Sequence, residues 1–324
     1  MSLATRYGGA YTSLEQLIAL RREACPLNVT QHKKTLAAMA GSHRSSFRGR
    51  GLDFDEVRPY QAGDEVRNID WRVTARTGSA HTKLFREERE QCVYLLVDQK
   101  SSLFFGSRHA FKSVVAAQVA AWLAWAAFAN HDRVGGLIFS ETAHQEFRPK
   151  AGKQGVLQFL QGLEKFNSAL SRNALIEKPR LDKKAHEPFS HALQLLQRVI
   201  RPGSIVCVIS DFYGLNDELE QNLVKLIRHH TVLSCLVYDP LEKNSPPAAT
   251  YTLSNGEQRL RLDTHSAPLR SLYQSLYQQR IAQLRACLNP YPVPLLELST
   301  AGDYFSQLRK QLGPLKAGRA KRHE

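Results

Sequence analysis

Three apolar runs each end in a carboxylate: YLLVD at Asp98, CVISD at Asp211 and CLVYD at Asp239. An aspartate at the carboxyl end of a buried strand can hold a cation, orient water or accept a proton. In open α/β sheets, ligands bind beyond the carboxyl ends of the strands, where the strand order reverses. If the runs ending at Asp98 and Asp211 are neighbours at that point, the two carboxylates face one site. The plainer alternative is that such aspartates cap the helices that follow. Asp239, followed by Pro240, fits that alternative. Lys100 stands two residues beyond Asp98. A lysine set between Asp98 and Asp211 could serve a hydrolase, although structural pairs of this kind are commoner.

Other chemistry has no motif to carry it. The sequence contains no G-x-S-x-G, no H-E-x-x-H and no P-loop. Gly49-Arg50-Gly51 lacks the third glycine of a dinucleotide turn and follows no convincing strand. His229-His230 close a helical pattern, where they offset its dipole more readily than they bind metal.

The elements that must position the aspartates are regular from residue 92. CVYLLVD, RVGGLIF, SIVCVISD and TVLSCLVYD read as strands, AHQEFRP as an edge strand, and VPLLEL as a last strand. Between them lie helical patterns at about 108–130, 153–166, 191–200, 217–230 and 269–288. The first is apolar nearly all round, which predicts burial on both sides rather than a membrane span. Strands alternating with helices predict an α/β fold with a mostly parallel sheet covered on both faces. TYTLSNGEQRLRL reads as a hairpin turning at Asn255-Gly256. Residues 167–187 are polar and basic and read as a long loop.

Composition narrows the class. The chain has 324 residues with 43% hydrophobic and 23% charged, as a folded domain requires. Its net charge of +14 raises the question of an anionic partner. Six Lys or Arg against one acid between Arg309 and Glu324 supply five of that excess, and this stretch reads as a solvated tail. Five cysteines without a C-x-x-C pair suit reduced, buried thiols. With no signal-peptide pattern at the N-terminus, the expected location is cytoplasmic.

A second dense stretch precedes the strands. Arg58-x-Tyr60-x-x-Gly63-Asp64-x-x-Arg67-x-Ile69-Asp70-Trp71, followed by Thr74-Ala75-Arg76, resembles the signature of a bacterial family called domain of unknown function fifty-eight. Ser210-Asp211-Phe212 and the DPLE at Asp239–Glu242 resemble it in order and position, so the likeness spans roughly residues 45–300. It implies a von Willebrand factor A-like (Rossmann-type) domain and partnership with a MoxR-type AAA+ ATPase in assembling or activating a client protein. Many relatives carry two membrane helices near the N-terminus; this chain shows none, which predicts a soluble form. Within the stretch, Arg58, Arg67, Arg72 and Arg76 interleave with Asp55, Asp64 and Asp70. They are expected to form bidentate pairs, with Ile69 and Trp71 as apolar anchors and Gly63 in a turn. Two roles stay open for it, a strap holding the N-terminal segment or a surface for docking.

The resemblance also implies a divalent-metal site of the form D-x-S-x-S with a distal Thr and a distal Asp. Asp98, Ser102 and Asp211 match. Lys100 replaces the first serine, and counting back from Ala192-Leu193 puts Glu187 at the threonine, with His186 and Ser190 as other occupants. An ammonium offers a hard cation no oxygen. The expected site is degenerate, without a cofactor; any Mg²⁺ would rest on Asp98, Ser102 and Asp211. Three domains are expected: residues 1–90, helical at the N-terminus with the Arg/Asp-rich signature; 91–308, the von Willebrand factor A-like domain with a hairpin insertion at about 250–263; and the basic tail 309–324. The leading function is a non-enzymatic adaptor. A nucleic-acid-associated protein, from the charge, and a hydrolase using Asp98, Lys100 and Asp211 are the alternatives.

Overall fold

The computed structural model describes residues 8–24, 52–61, 64–87, 90–170, 187–254 and 259–312. Cys25, Gly49-Arg50-Gly51, Gly63, His186, the turn Asn255-Gly256, most of the 167–187 loop and the tail from 313 lie outside the described residues. The chain divides into two compact units, residues 41–90 and the remainder.

The described chain opens with a short helix, α1 (Leu14–Ala19), capped by Ser13 in a capping box with Gln16. In the smaller unit, β1 (Leu52–Pro59) pairs antiparallel with β2 (His81–Glu87), and α2 (Trp71–Thr77) lies between them in sequence. Asp70 starts α2 by accepting from the backbone N–H groups of Arg72 and Val73, and Gly78 ends it in the left-handed region at φ +74°.

The larger unit is built on six strands: β3 (Cys92–Asp98), β4 (Arg133–Phe139), β5 (His144–Lys150), β6 (Ile205–Ser210), β7 (Thr231–Tyr238) and β10 (Leu295–Ser299). A separate hairpin, β8 (Thr250–Ser254) with β9 (Arg259–Asp263), precedes β10 in the chain. The sheet order is β10-β7-β6-β3-β4-β5, parallel throughout except for β5. The sequence accounts for which strands lie inside and which at that edge. β3, β6 and β7 are near-continuous apolar runs and sit inside, whereas β5 alternates exposed and half-buried residues and forms an edge.

Helices cover both faces. The odd residues of β3, Val93, Leu95 and Val97, pack into one core with α3 (Lys112–Ala129), α4 (Lys153–Ala169), α1 and α9 (Tyr304–Leu312). The even residues Tyr94 and Leu96 face a second core with α5 (Pro188–Val199), α6 (Asp217–His229) and α8 (Ala267–Leu288). The short α7 (Pro240–Lys243) follows β7. Helix α3 is buried along nearly its whole length; it is the one described helix long and apolar enough to cross a membrane, and it serves here as core.

The N-terminal segment is tied into the first core by polar groups. Asn167 Oδ1 accepts from Thr12 N at 2.9 Å, and Asn167 Nδ2 donates to Gln99 Oε1 at 3.2 Å. Gln118 Nε2 donates to Thr12 Oγ1 at 3.3 Å, while Tyr304 of α9 donates its hydroxyl to Gln118 Oε1. The indoles of Trp122 and Trp125 donate to the carbonyls of Glu23 and Leu17 at 3.1 and 3.0 Å. Arg309 also donates to the Glu23 carbonyl. The sequence-drawn boundaries therefore shift. The segment holding α1 belongs with the larger unit, and α9 runs past 308 to Leu312, so the tail begins later than expected.

Candidate functional site

Strand order reverses beside β3. The chain moves from β3 to β4 and β5 on one side, then returns to β6, β7 and β10 on the other. β3 and β6 are direct neighbours, with Val97 opposite Ile209, so the residues after them share one crevice. Asp98 and Asp211 are both buried there.

Asp98 is held by its own strand end and by β6. Its Oδ1 accepts from Lys100 N at 2.9 Å, and Ser210 Oγ donates to Oδ2 at 2.7 Å. Lys100 turns back into the crevice, its Nζ 3.6 Å from Asp98 Oδ2 and 3.6 Å from Glu187 Oε1. The same ammonium reaches the Tyr213 carbonyl at 3.5 Å and stands 5.5 Å from the centre of the Phe189 ring. Glu187 is the N-cap of α5: its Oε2 accepts from Ser190 N at 2.8 Å while Pro188 occupies the first turn. Ser190 is engaged elsewhere, donating to Glu218 at 3.0 Å and accepting from Asn222 at 2.7 Å. Ser102 Oγ is buried with no hydrogen-bond partner among the described residues.

Asp211 has a cation of its own. Lys112, the first residue of α3, reaches Asp211 Oδ2 at 2.9 Å and Glu242 Oε1 at 2.7 Å, and it is buried. The backbone cooperates: Phe212 sits at φ +50°, in the left-handed region that costs a bulky residue roughly 1–3 kcal/mol. That turn lets Tyr213 N donate to Asp211 Oδ1 at 3.0 Å and points the Tyr213 carbonyl at Lys100. Asp239, by contrast, is the expected cap. It closes a capping box with Glu242 on α7 and also accepts from Ser107 at 2.6 Å and Thr300 at 2.5 Å.

The two aspartates titrate apart. Burial, reinforced by the charge of Asp211 and opposed by Lys100, pushes the Asp98 carboxyl up to about 7. Burial acts on Asp211 in the same direction, yet Lys112 and Lys100 outweigh it and hold that carboxyl below its usual value. Burial disfavours the charge on Lys100, but Asp98, Asp211 and Glu187 together raise its pKa. Burial likewise disfavours charge on Lys112, and Asp211 and Glu242 overcome it.

The signature stretch and this crevice fall within one family. The model described as "Protein of unknown function DUF58" matches residues 56–283, more than half of the chain. The chain belongs to the DUF58 family. Its DUF58 match is accompanied by full-length likeness to the uncharacterized proteins Rv1480 of Mycobacterium tuberculosis and Mb1516 of Mycobacterium bovis. Each is 25% identical over 299 residues, which is 92% of this chain and 90% of the relative. A crystal structure of the conserved hypothetical protein BatB from Bacteroides thetaiotaomicron aligns with 60% of this chain and 99% of that one. The identity is 14% and the TM-score 0.34.

Against the metal site that the signature resemblance implies, this DUF58 chain presents a poor donor set. An ammonium stands within 3.6 Å of Asp98 where a neutral oxygen is expected, and it is paired on its far side to Glu187. Lysine has no lone pair to give when charged, and its charge repels a second cation. Ser102 Oγ remains as a spare oxygen, but Asp98 and Asp211 are already engaged by lysines. The residues do not fit a resident divalent ion.

The DUF58 signature itself departs from expectation. Arg58 pairs with Asp64 at 2.7 Å through one nitrogen, and Asp64 also accepts from Gln61 N. Asp70, beyond capping α2, pairs with Lys83 at 3.4 Å, not with an arginine. Arg67, Arg72 and Arg76 are exposed and make no such pair among the described residues. Tyr60 and Ile69 are half-buried, Ile69 bridging to Thr82. Trp71 is 68% exposed, so it is no anchor; Asp70 caps α2 and leaves it at the first helical position. Sequence reasoning also missed Lys112, and it named Ser210 as part of the signature but not as a donor to Asp98. A single lysine opening a largely apolar 18-residue helix was the available signal for the former.

Proposed function

We propose that this DUF58 protein is a non-enzymatic, cytoplasmic binding module that works with a MoxR-type AAA+ ATPase on a client protein. In this reading the cation of the ligand-binding edge is built into the chain. The observation that carries it is Lys100 Nζ lying between Asp98 and Glu187. An ammonium held by two carboxylates keeps the crevice in shape without an exchangeable ion, and Lys112 does the same for Asp211. The von Willebrand factor A-like assignment and the ATPase partnership rest on the signature resemblance. Burial of Asp98, Asp211 and both lysines supports a structural rather than a hydrolytic role, since a reacting substrate would have to reach them.

The metal half of the proposal is tested by calorimetry and thermal unfolding. Millimolar Mg²⁺ leaves the wild-type melting temperature unchanged, because only a ligand that prefers the folded state stabilises it. The double substitution Lys100→Ser with Glu187→Thr creates a Mg²⁺-dependent rise. Micromolar Mg²⁺ or Mn²⁺ binding by the wild type, abolished by Asp98→Ala, overturns it. The partner half is tested by affinity capture with ATP or a slowly hydrolysed analogue. Enrichment of a MoxR-type ATPase that changes with the nucleotide is expected, and its absence under both conditions refutes the pairing.

A further inference from the structure

Around α2 the smaller unit sorts its charges by sign. Two of its described acids, Asp64 and Asp70, are used up in internal bonds, to Arg58 and Gln61 in one case and to the start of α2 and Lys83 in the other. What α2 leaves outside is cationic and apolar. Residues in a helix follow one another at about 100°, so Trp71, Ala75, Arg72 and Arg76 fall in that order within about 140° of the α2 surface. All four are exposed. The opposite side is bound to β2: His81 N donates to Thr74 Oγ1 at 3.0 Å, and Thr77 Oγ1 lies 3.1 Å from His81 Nδ1. Val73 and Thr74 are the half-buried residues of α2, while Trp71 is 68% exposed. One turn earlier, Val66 is 61% exposed and Arg67 is exposed beside it.

We infer that this face of α2 docks an acidic protein segment carrying an apolar anchor. Tryptophan and arginine are the residues that dominate binding energy at protein interfaces. The exposed guanidiniums of Arg72 and Arg76 select carboxylates, and the Trp71 ring covers the apolar side chain between them. A single-stranded nucleic acid is the weaker match. It calls for successive aromatic platforms along a groove, whereas α2 offers one. The site uses residues of the smaller unit, none of them from the lysine-filled crevice, and requires no particular ATPase, so its failure and the failure of the proposed function read out separately.

The protein carries its own reporter. Of its three tryptophans, Trp122 and Trp125 are 0% and 1% exposed, so quenching of tryptophan fluorescence by acrylamide reports on Trp71. The probes are a synthetic peptide alternating Asp or Glu with Leu, the same peptide with Lys for its acids, and an oligothymidylate. The acidic peptide is expected to shield Trp71 from quenching, in a salt-dependent manner. Arg72→Glu with Arg76→Glu should weaken that binding at least about tenfold. Trp71→Ala, followed by a fluorescent label on the peptide, should weaken it to a similar degree with an unchanged melting temperature. Equal shielding by the lysine peptide, shielding by the oligothymidylate alone, or no shielding by any probe overturns the inference. So does a large fall in melting temperature for Trp71→Ala, which would make that side chain structural. The charge-reversal pair reads the docking without altering the Trp71 side chain.

Discussion

Replacing Lys112 with Met tests whether the cations of the crevice are structural. Lys112 is 1% exposed, and its ammonium satisfies Asp211 at 2.9 Å and Glu242 at 2.7 Å. Methionine keeps the bulk of the chain and removes the charge, which leaves two carboxylates facing each other at the end of β6. Removing one partner of a buried pair costs about 3–5 kcal/mol, because the remaining charge is buried without compensation. Urea unfolding at pH 7 measures the loss. The sign with pH follows from the pKa of Asp211. In the wild type that carboxyl is held low, so it supplies stability above its unfolded value that is lost as the pH falls. Without Lys112, burial dominates and raises it. The folded variant then takes up a proton that the unfolded chain does not, and it gains stability between pH 7 and pH 5 relative to the wild type. Adding Asp211→Asn removes the stranded charge and should recover about half of the loss or more. A cost below about 1 kcal/mol, or no recovery in the double variant, refutes the claim that these charges are mutually dependent.

Two further outcomes follow from the same geometry. The Asp98 carboxyl, raised to about 7, binds a proton in the folded protein that the unfolded chain has already released, so its contribution to stability falls as pH rises from about 4 to about 7. Asp98→Asn should flatten that slope in chemical unfolding across the window, and an unaltered slope would mean that Asp98 stays charged. Trp122→Ala should cost about 3–5 kcal/mol, since the ring is fully buried, whereas Trp71→Ala should stay within about 0.5 kcal/mol. Equal losses on thermal unfolding would contradict the placement of one or the other.

β3, β4, β6 and β7 were legible because each is a short apolar run bounded by turn signals, whereas β1 and β2, in the charged smaller unit, were not read as strands. The neighbouring of Asp98 and Asp211 was legible as a condition, since the switch-point rule names the place but not the strand order that creates it. Glu187 could be reached by counting from Ala192-Leu193, because Pro188 and the α5 cap fix its distance from the helix. Lys112 left only the hint of its place: at the head of an apolar helix it looks equally like a solvated residue, and only folding brings Glu242 and Asp211 around it. Trp71 misled because large aromatics are usually buried. Asp70 outranks that tendency, for a cap sets where the helix begins and hence which way its first side chain points. The N-terminal segment was expected to be helical, as α1 is, whereas α9 was missed because a short amphipathic segment gains its identity from the core it covers.

The polar ties of the N-terminal segment have a consequence for how the chain is made. Thr12 is synthesised before any strand of the sheet, yet its partners lie on α3 and α4, and Gln118 is in turn held by Tyr304 beyond the last strand. Domains fold as units during synthesis, and a unit closes only when its last element has emerged. Until α9 is out, the groups that seat Glu23 and Gln118 are incomplete, and the nascent larger unit has no finished cover over Trp122 and Trp125. The polar seat of Glu23 and Gln118 is therefore complete only once α9 has been made.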